Sequence, residues 1–456
     1  MKKYLTFNEV RNVLEEEPYK YELRDVAEPN LFREIYPYAE VPRIPFNHRY
    51  IGIDMPDEIW ITDTTFRDGQ QSRTPYTARQ MVRIFNFLHE LGGPKGLVRQ
   101  TEFFAYSKKD QEAIYKCMEQ GVEFPEVTTW IRATKKDFEL VRNLGVRETG
   151  ILVSCSDYHI FKKLNMTRRQ AFDHYVSVVA EVIETGLVPR CHFEDITRAD
   201  FYGFVIPLVS RLLELGEQAG MKVKIRLCDT LGMGVPYPGV VMPRSVPGLI
   251  TGMKHFSSAE SEQLEWHGHN DFSKAVVNAS AAWLYGASSV NCSLLGIGER
   301  TGNVPLEAMV FEYASLRGTF DGMAPQVVTE IARYYETEIG HEIPRMTPFV
   351  GAQFNETRAG IHADGLLKDE EIYNIFDTKT LLGRPVSVAI TETSGLSGLA
   401  YWFNSYYNRT ESDKISKADP LIAYLKEWVD SEYAGGRQTS ISSAELDALM
   451  QKFKEN

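Results

Sequence analysis

Between residues 60 and 294 the chain alternates eight times between a short apolar run and a segment with helical spacing. The runs are residues 60–66, 97–104, 124–131, 148–155, 188–193, 222–228, 264–267 and 289–294. Among the intervening segments, 78–91 sets Met81, Ile84, Phe85 and Leu88 on one face. Segment 204–219 does the same with Val205, Leu208, Val209, Leu212 and Leu213, and 273–285 is rich in Ala. A strand–helix unit repeated eight times predicts an α/β fold, and that count favours a closed (β/α)8 TIM barrel over an open sheet.

In such a barrel the C-terminal ends of all strands share one mouth. Arg67 and Asp68 follow the first run, Glu102 sits late in the second, and Arg132 follows the third. Glu194 and Asp195 follow the fifth run, Asp229 and Thr230 follow the sixth, and His267 and His269 end the seventh; Glu299, Arg300 and Asn303 follow the eighth. Each alone is an ordinary loop charge. Their common position predicts one site.

His267 and His269 are two residues apart, so on a strand both imidazoles project to one face. With the Asp68 carboxylate they form a three-ligand set that leaves positions for substrate and water, the pattern of a catalytic metal site. The mixed nitrogen and oxygen shell suits a divalent metal: Mn2+ first, with Mg2+, Co2+ or Zn2+ as alternatives.

Composition narrows the rest. With 43% apolar and 25% charged residues the chain reads as an ordinary globular protein, and a net charge of -12 without a basic run argues against nucleic acid. No apolar run is long enough to cross a bilayer, and residues 1–20 lack a secretory signal pattern. Five unpaired cysteines (Cys117, Cys155, Cys191, Cys228, Cys292) predict free thiols in a reducing, cytoplasmic setting.

Five ordered motifs carry a family resemblance. They are Asp63-Thr64-Thr65-Phe66-Arg67-Asp68-Gly69, Glu194-Asp195-Ile196-Thr197-Arg198, Asp229-Thr230-Leu231-Gly232, His267-Gly268-His269-Asn270-Asp271, and the Gly-rich stretch from Gly296 to Asn303. Together they resemble the metal-dependent acyltransferase and lyase superfamily of TIM barrels. It includes isopropylmalate, homocitrate, citramalate and Re-type citrate synthases, and hydroxymethylglutaryl-CoA lyase. A second set, Ala359-Gly360-Ile361-His362-Ala363-Asp364-Gly365, then Glu371-Ile372-Tyr373 and Leu382-Gly383-Arg384-Pro385, resembles the subdomain of the synthases and is absent from the lyases.

The resemblance implies a condensation of acetyl-CoA with a 2-oxo acid, followed by thioester hydrolysis. It implies Asp68, His267 and His269 as metal ligands, with Asn303 as a further ligand or a brace beside them. Arg67 would stabilise the enolate, Glu194 would lie near the acetyl group, and Gln71, Arg132 and Thr230 would contact the oxo acid. Glu299, Arg300 and Asn303 would hold acetyl-CoA. His362, coupled to Glu194, would be the base and Tyr373 its companion; both would reach the partner's active site, so a homodimer with subdomain exchange is expected. The implied organisation is an N-terminal arm over 1–56, a barrel over 57–320, a linker and subdomain over 321–400, and a helical segment over 401–456.

The choice of acid rests on two departures. Isopropylmalate synthases carry Glu-x-Gly-Phe-Pro after strand two and homocitrate synthases a Ser-Pro; this chain has Glu102-Phe103-Phe104-Ala105-Tyr106-Ser107. The bulk predicts a smaller pocket, although the aromatics can equally pack between barrel and helix. On strand five, Arg190 and His192 alternate toward one face, with His192 where the family tends to have Ser, and a cation pair there would suit a second carboxylate. The expectation is oxaloacetate, giving citrate. Homocitrate, isopropylmalate and citramalate synthases are alternatives, and a carbon–carbon lyase is less favoured. Residues 401–456 are also too few for the long regulatory domain of leucine-regulated isopropylmalate synthases.

At the ends, residues 6–10 open a helix-like run, and 29–45 form a Pro-dotted aromatic arm with Phe32, Tyr36 and Tyr38. Segments 419–433 and 443–454 read as helices, the second with a capping box from Ser442 to Glu445.

Overall fold

The structure is a computed structural model that describes residues 5–8, 13–16, 19–36, 45–46, 51–132, 135–410 and 412–455. The chain divides into two compact units, Met1–Ala324 and Pro325–Asn456.

The first unit is a closed barrel of eight parallel strands: β1 (Trp60–Asp63), β2 (Val98–Phe104), β3 (Glu126–Ile131), β4 (Glu148–Ser154), β5 (Val188–Glu194), β6 (Lys224–Asp229), β7 (Leu264–Gly268) and β8 (Ser289–Cys292), with β8 pairing back to β1. All eight expected strands form. Two of the helices between them start on reciprocal capping boxes: Thr77 and Gln80 before Ala78–Gly92, and Thr167 and Gln170 before Arg168–Glu184. The segment expected at 204–219 begins as a π-helical turn, Phe201–Val205, and continues as the α-helix Ile206–Gln218.

The barrel interior is unusual in chemistry. Such interiors are normally layered with branched apolar side chains. Here Gln100, Glu102, Glu148, Arg190, His192, Arg226, Glu265 and Asn291 are all buried. Charges at this depth persist only when paired, and these are. Arg190 meets Glu148 at 2.6 Å and Glu265 at 3.5 Å, Arg226 meets Glu102 at 3.1 Å and also Glu265, and Lys224 meets Glu148 at 2.5 Å.

The N-terminal expectation needs correction. Leu5–Asn8 and Val13–Glu16 form an antiparallel strand pair, not a helix. Leu5 and Phe7 alternate with Thr6 and Asn8, and this period of two prevails. Glu9, Val10 and Tyr38 lie outside the described residues. Among the described residues no helix is long and apolar enough to cross a membrane, and all five cysteines are free and buried.

In the second unit, segments expected as separate regions share one core. Ala363, Leu366, Val388 and Ile390 cluster with Tyr401, Trp402 and Phe403, and with Ile422, Leu425, Val429, Leu446 and Met450. Tyr401, Trp402 and Phe403 are therefore core material, Tyr407 packs against them, and Tyr406 is exposed and stacked on Trp402. The helices Pro420–Ala434 and Ser443–Glu455 form as expected, and the Ser442–Glu445 capping box closes both ways at 2.8 and 3.3 Å.

Candidate active site and metal centre

Asp68 opens a one-turn helix directly after β1 and is 3% exposed. Its Oδ2 lies 3.3 Å from His267 Nε2 and 3.7 Å from His269 Nε2. Ligand atoms of the three residues fall within 4.8 Å of one another, which is a geometry that could hold one ion. Asn303 donates from Nδ2 to Asp68 Oδ2 at 2.6 Å, while its Oδ1 has no hydrogen-bond partner. That amide needs Gly298: a Cβ there would stand 2.2 Å from Asn303 Oδ1.

The donor set fits a cation on its own terms. Burial pushes the His267 pKa down to about 4 and lowers that of His269, so both rings are neutral. Burial would raise the Asp68 carboxyl, but the Arg67 guanidinium beside it, with the amide of Asn303 donating to it, outweighs burial and holds it below the usual carboxylate range. His267 Nδ1 is 2.8 Å from Asn291 Oδ1, and Asn291 Nδ2 donates to Thr62 Oγ1 at 2.9 Å. The amide oxygen thus faces the ring, Nδ1 carries the proton, and Nε2 presents a lone pair to the Asp68 carboxylate. Two lone pairs facing each other at 3.3 Å in a buried site call for a positive charge between them.

Arg67 is set by two carboxylates. Its Nε donates to Glu102 Oε2 at 2.7 Å and its Nη1 to Asp68 Oδ1 at 3.0 Å. Glu102 is fully buried, also accepts from Arg226, and lies 3.3 Å from His192 Nε2. Burial, reinforced by Arg226, drives the His192 pKa to about 3. The ring is therefore neutral.

This corrects the reading of strand five. Arg190 is 1% exposed and neutralised by Glu148 and Glu265, and His192 is uncharged, so the two do not lend free positive charge to a substrate. A guanidinium inside a barrel must be compensated by its neighbours. The cation that shares a carboxylate with Arg67 is Arg226, which sequence reasoning passed over along with Glu265, Glu148 and Asn291. The available signal was parity: Lys224, Arg226 and Cys228 take one face of β6, as Arg190, His192 and Glu194 do of β5.

Phe103 is likewise not a pocket wall. It is fully buried and stacks on Phe66 at 4.5 Å, while Phe104 meets Trp130 edge-on at 5.8 Å. Gly150 leaves the space His192 and Trp130 occupy, since a Cβ there would stand 2.7 Å from His192 Nε2 and 3.0 Å from Trp130.

Around the rim, Glu194 accepts from Ser154 and from Lys163 at 2.8 Å, and His159 Nδ1 lies 2.8 Å away. Burial opposes its ionisation, but His159, Lys163 and Ser154 bring its pKa down to about 2. Thr230 Oγ1 accepts the Asp195 N–H at 2.8 Å. Arg300 pairs with Asp271 at 2.8 Å and donates to the Thr230 carbonyl at 2.6 Å, and Glu299 is exposed. Asn303 thus stands with the histidine cluster and not with Glu299 and Arg300. Gln71 and Arg132 are exposed, and the Arg132 guanidinium lies 4.6 Å over the Tyr106 ring. In the second unit, the His362 and Tyr373 rings lie 4.4 Å apart, and His362 Nδ1 is 3.1 Å from Thr357 Oγ1.

Comparison with known proteins places this arrangement. The HMGL-like family model matches residues 58–334. A citrate (Re)-synthase from Clostridium kluyveri is 57% identical over 434 residues, covering 95% of this chain and 96% of that protein. A citrate (Re)-synthase from Syntrophus aciditrophicus is 52% identical over 435 residues, covering 95% and 69%. Among solved structures, hydroxymethylglutaryl-CoA lyase from Pseudomonas aeruginosa shares the fold, with a TM-score of 0.50 and 17% identity over 63% of this chain and 95% of that one.

Proposed function

The chain belongs to the HMGL-like family, and from that premise we propose that it is an acyltransferase condensing acetyl-CoA with oxaloacetate to give citrate and CoA, in the manner of the citrate (Re)-synthases it resembles. The observation that carries the choice of acid is the 57% identity across 96% of the Clostridium kluyveri enzyme. A homocitrate, isopropylmalate or citramalate synthase is not favoured by any feature of equal weight.

Asp68, His267 and His269 would hold a divalent metal, Mn2+ first, with Asn303 beside them. When bound, that ion supplies Lewis acidity to the keto carbonyl of the oxo acid. The chain's own groups do the remainder. The Thr230 hydroxyl is aimed by the Asp195 amide and binds an oxo-acid carboxylate. Arg67, fixed by Glu102 and Asp68, meets the negative charge that builds on oxygen as the acetyl methyl loses its proton. His362, held at Nδ1 by Thr357, takes that proton at Nε2. Glu194 is too weak a base for this step with its pKa near 2, so its role is to orient the acetyl group through His159 and Lys163. The methyl carbon bonds to the keto carbon, the new alkoxide takes a proton, and water then splits the thioester, leaving citrate and CoA. Glu299 and Arg300 at the rim line the approach for acetyl-CoA. His362 and Tyr373 would serve the partner's barrel in a homodimer.

The test is thiol release from acetyl-CoA with oxaloacetate, 2-oxoglutarate, 2-oxoisovalerate or pyruvate, each with Mn2+ or Mg2+. Oxaloacetate is expected to lead. Strong release with another acid and none with oxaloacetate would overturn the assignment.

A further inference from the structure

Residues 24–36 precede the span matched by the family model, yet they are bonded at intervals to the loops behind β4 and β5. The Arg24 N–H donates to the Gly203 carbonyl at 2.8 Å, and the Arg24 carbonyl accepts from Arg168 Nη1 at 3.0 Å. Arg168 is itself fully buried between Asp157 and Asp200. The Asn30 N–H donates to Asp157 Oδ2 at 2.6 Å, and the Tyr158 hydroxyl to the Leu31 carbonyl at 2.8 Å. The segment then buries Ile35 and Tyr36, each 4% exposed, and the Tyr36 hydroxyl donates to the Thr197 carbonyl.

Thr197 is where this strap meets the site. Its Oγ1 donates to Asp229 Oδ1 at 2.8 Å, and the Asp229 carbonyl accepts the His269 N–H at 3.3 Å. On the same turn the Asp195 N–H holds Thr230 Oγ1. Arg198 pairs with Asp195 at 2.8 Å and covers the Tyr158 ring at 4.0 Å, so the strap meets this turn directly at Tyr36 and, from Leu31, through Tyr158. Burial raises the Tyr36 phenol far above its ordinary pKa, which keeps it a donor throughout the working range.

We propose that residues 24–36 form a strap that completes the active site, and that Tyr36 is a positioning residue: its hydroxyl fixes the Asp195–Thr197 turn and thereby the Thr230 hydroxyl that receives the oxo acid. Arg300 of the acetyl-CoA rim meets Thr230 at its carbonyl, at 2.6 Å, whereas the strap acts on the Thr230 hydroxyl through the Asp195 N–H, so the larger effect falls on the oxo acid. The substrate assignment rests on the function proposed above; the geometry of the strap does not.

The experiment is Tyr36→Phe, which removes one hydroxyl and keeps the ring. The KM for oxaloacetate is expected to rise about tenfold, the scale of one lost buried hydrogen bond. The KM for acetyl-CoA should stay within about twofold of the parent. In hydrogen exchange, the amides of Asp195, Met233 and Gly234 should open faster while those of the Ala78–Gly92 helix are unchanged. An unchanged oxaloacetate KM would overturn the proposal. So would a parallel rise in both KM values with faster exchange in both regions, which is what a merely structural role produces. If Tyr36→Phe does not fold, Tyr158→Phe frees the strap at Leu31 alone, and it must show the same selective rise or the proposal fails. A parent protein inactive with oxaloacetate would refute the assigned reaction, and the exchange comparison would then decide on the strap alone.

Discussion

Replacing Glu102 by Gln removes one negative charge from the barrel interior while keeping the shape of the side chain. In the native chain this carboxylate is fully buried, 2.7 Å from Arg67 Nε, 3.1 Å from Arg226 Nη1 and 3.3 Å from His192 Nε2. A Gln amide turns one of its two oxygens into a donor, which must face a guanidinium that also donates. Removing one partner from a buried ionic cluster costs about 3–5 kcal/mol, because the remaining charges stay buried without compensation. The unfolding midpoint in urea should fall accordingly. Arg67 would keep Asp68 as its only carboxylate and swing from its set position. Losing a preorganised donor to a developing oxyanion costs about 100-fold in turnover or more. The assay pairs urea unfolding with thiol release at saturating substrates. Parent-like stability and turnover within about twofold of the parent would refute the claim that this carboxylate both neutralises the interior and aims Arg67.

Acid stability provides a second check. His192 is held neutral with a folded pKa near 3 against an ordinary 6.5, so between these values the unfolded chain binds a proton that the folded chain refuses. Stability is thus intact above pH 6.5 and falls as the pH drops toward 3, at about 1.4 kcal/mol per pH unit from this group. His192→Asn should flatten the slope between pH 6.5 and 4.5 by that amount, and equal slopes would contradict the burial argument. Gly298→Ala should drive Asn303 away from Asp68 and weaken Mn2+ binding roughly tenfold or more, read by metal titration; unchanged affinity would remove Asn303 from the site. Mixing Asp68→Ala with His362→Ala chains should restore about a quarter of parental activity if the subdomain serves the partner, since one active site in four is then intact. No recovery after subunit exchange would place His362 in its own chain's site.

Much of this architecture is legible in the residues themselves. The strands declare themselves because a parallel barrel buries both faces of each strand, and the site residues do so because they cluster where strands end. The interior charges are harder. Arg226 and Glu265 lie inside strands, where a charge normally marks the solvent side, and only the pairing of β6 with β5 and β7 shows that they neutralise each other. Parity would have settled Phe103: Glu102 points inward to Arg67, so its neighbour points out to Phe66. The ion pairs of Arg190 were invisible for a different reason. Glu148 lies on the neighbouring strand and Glu265 two strands away, and no local pattern links them. The N-terminal strap has no periodic signature at all, because it is held by scattered bonds: its backbone to the Asp157 and Tyr158 side chains, and its Tyr36 hydroxyl to the Thr197 carbonyl.

The most direct measurement is citrate formation by chelator-stripped protein, before and after Mn2+ is restored, in the parent and in His267→Ala. The site described here predicts no citrate from either stripped protein, recovery in the parent alone, and an unchanged circular dichroism spectrum in the variant. Citrate produced at the parental rate without metal, or full recovery of His267→Ala with Mn2+, would contradict it.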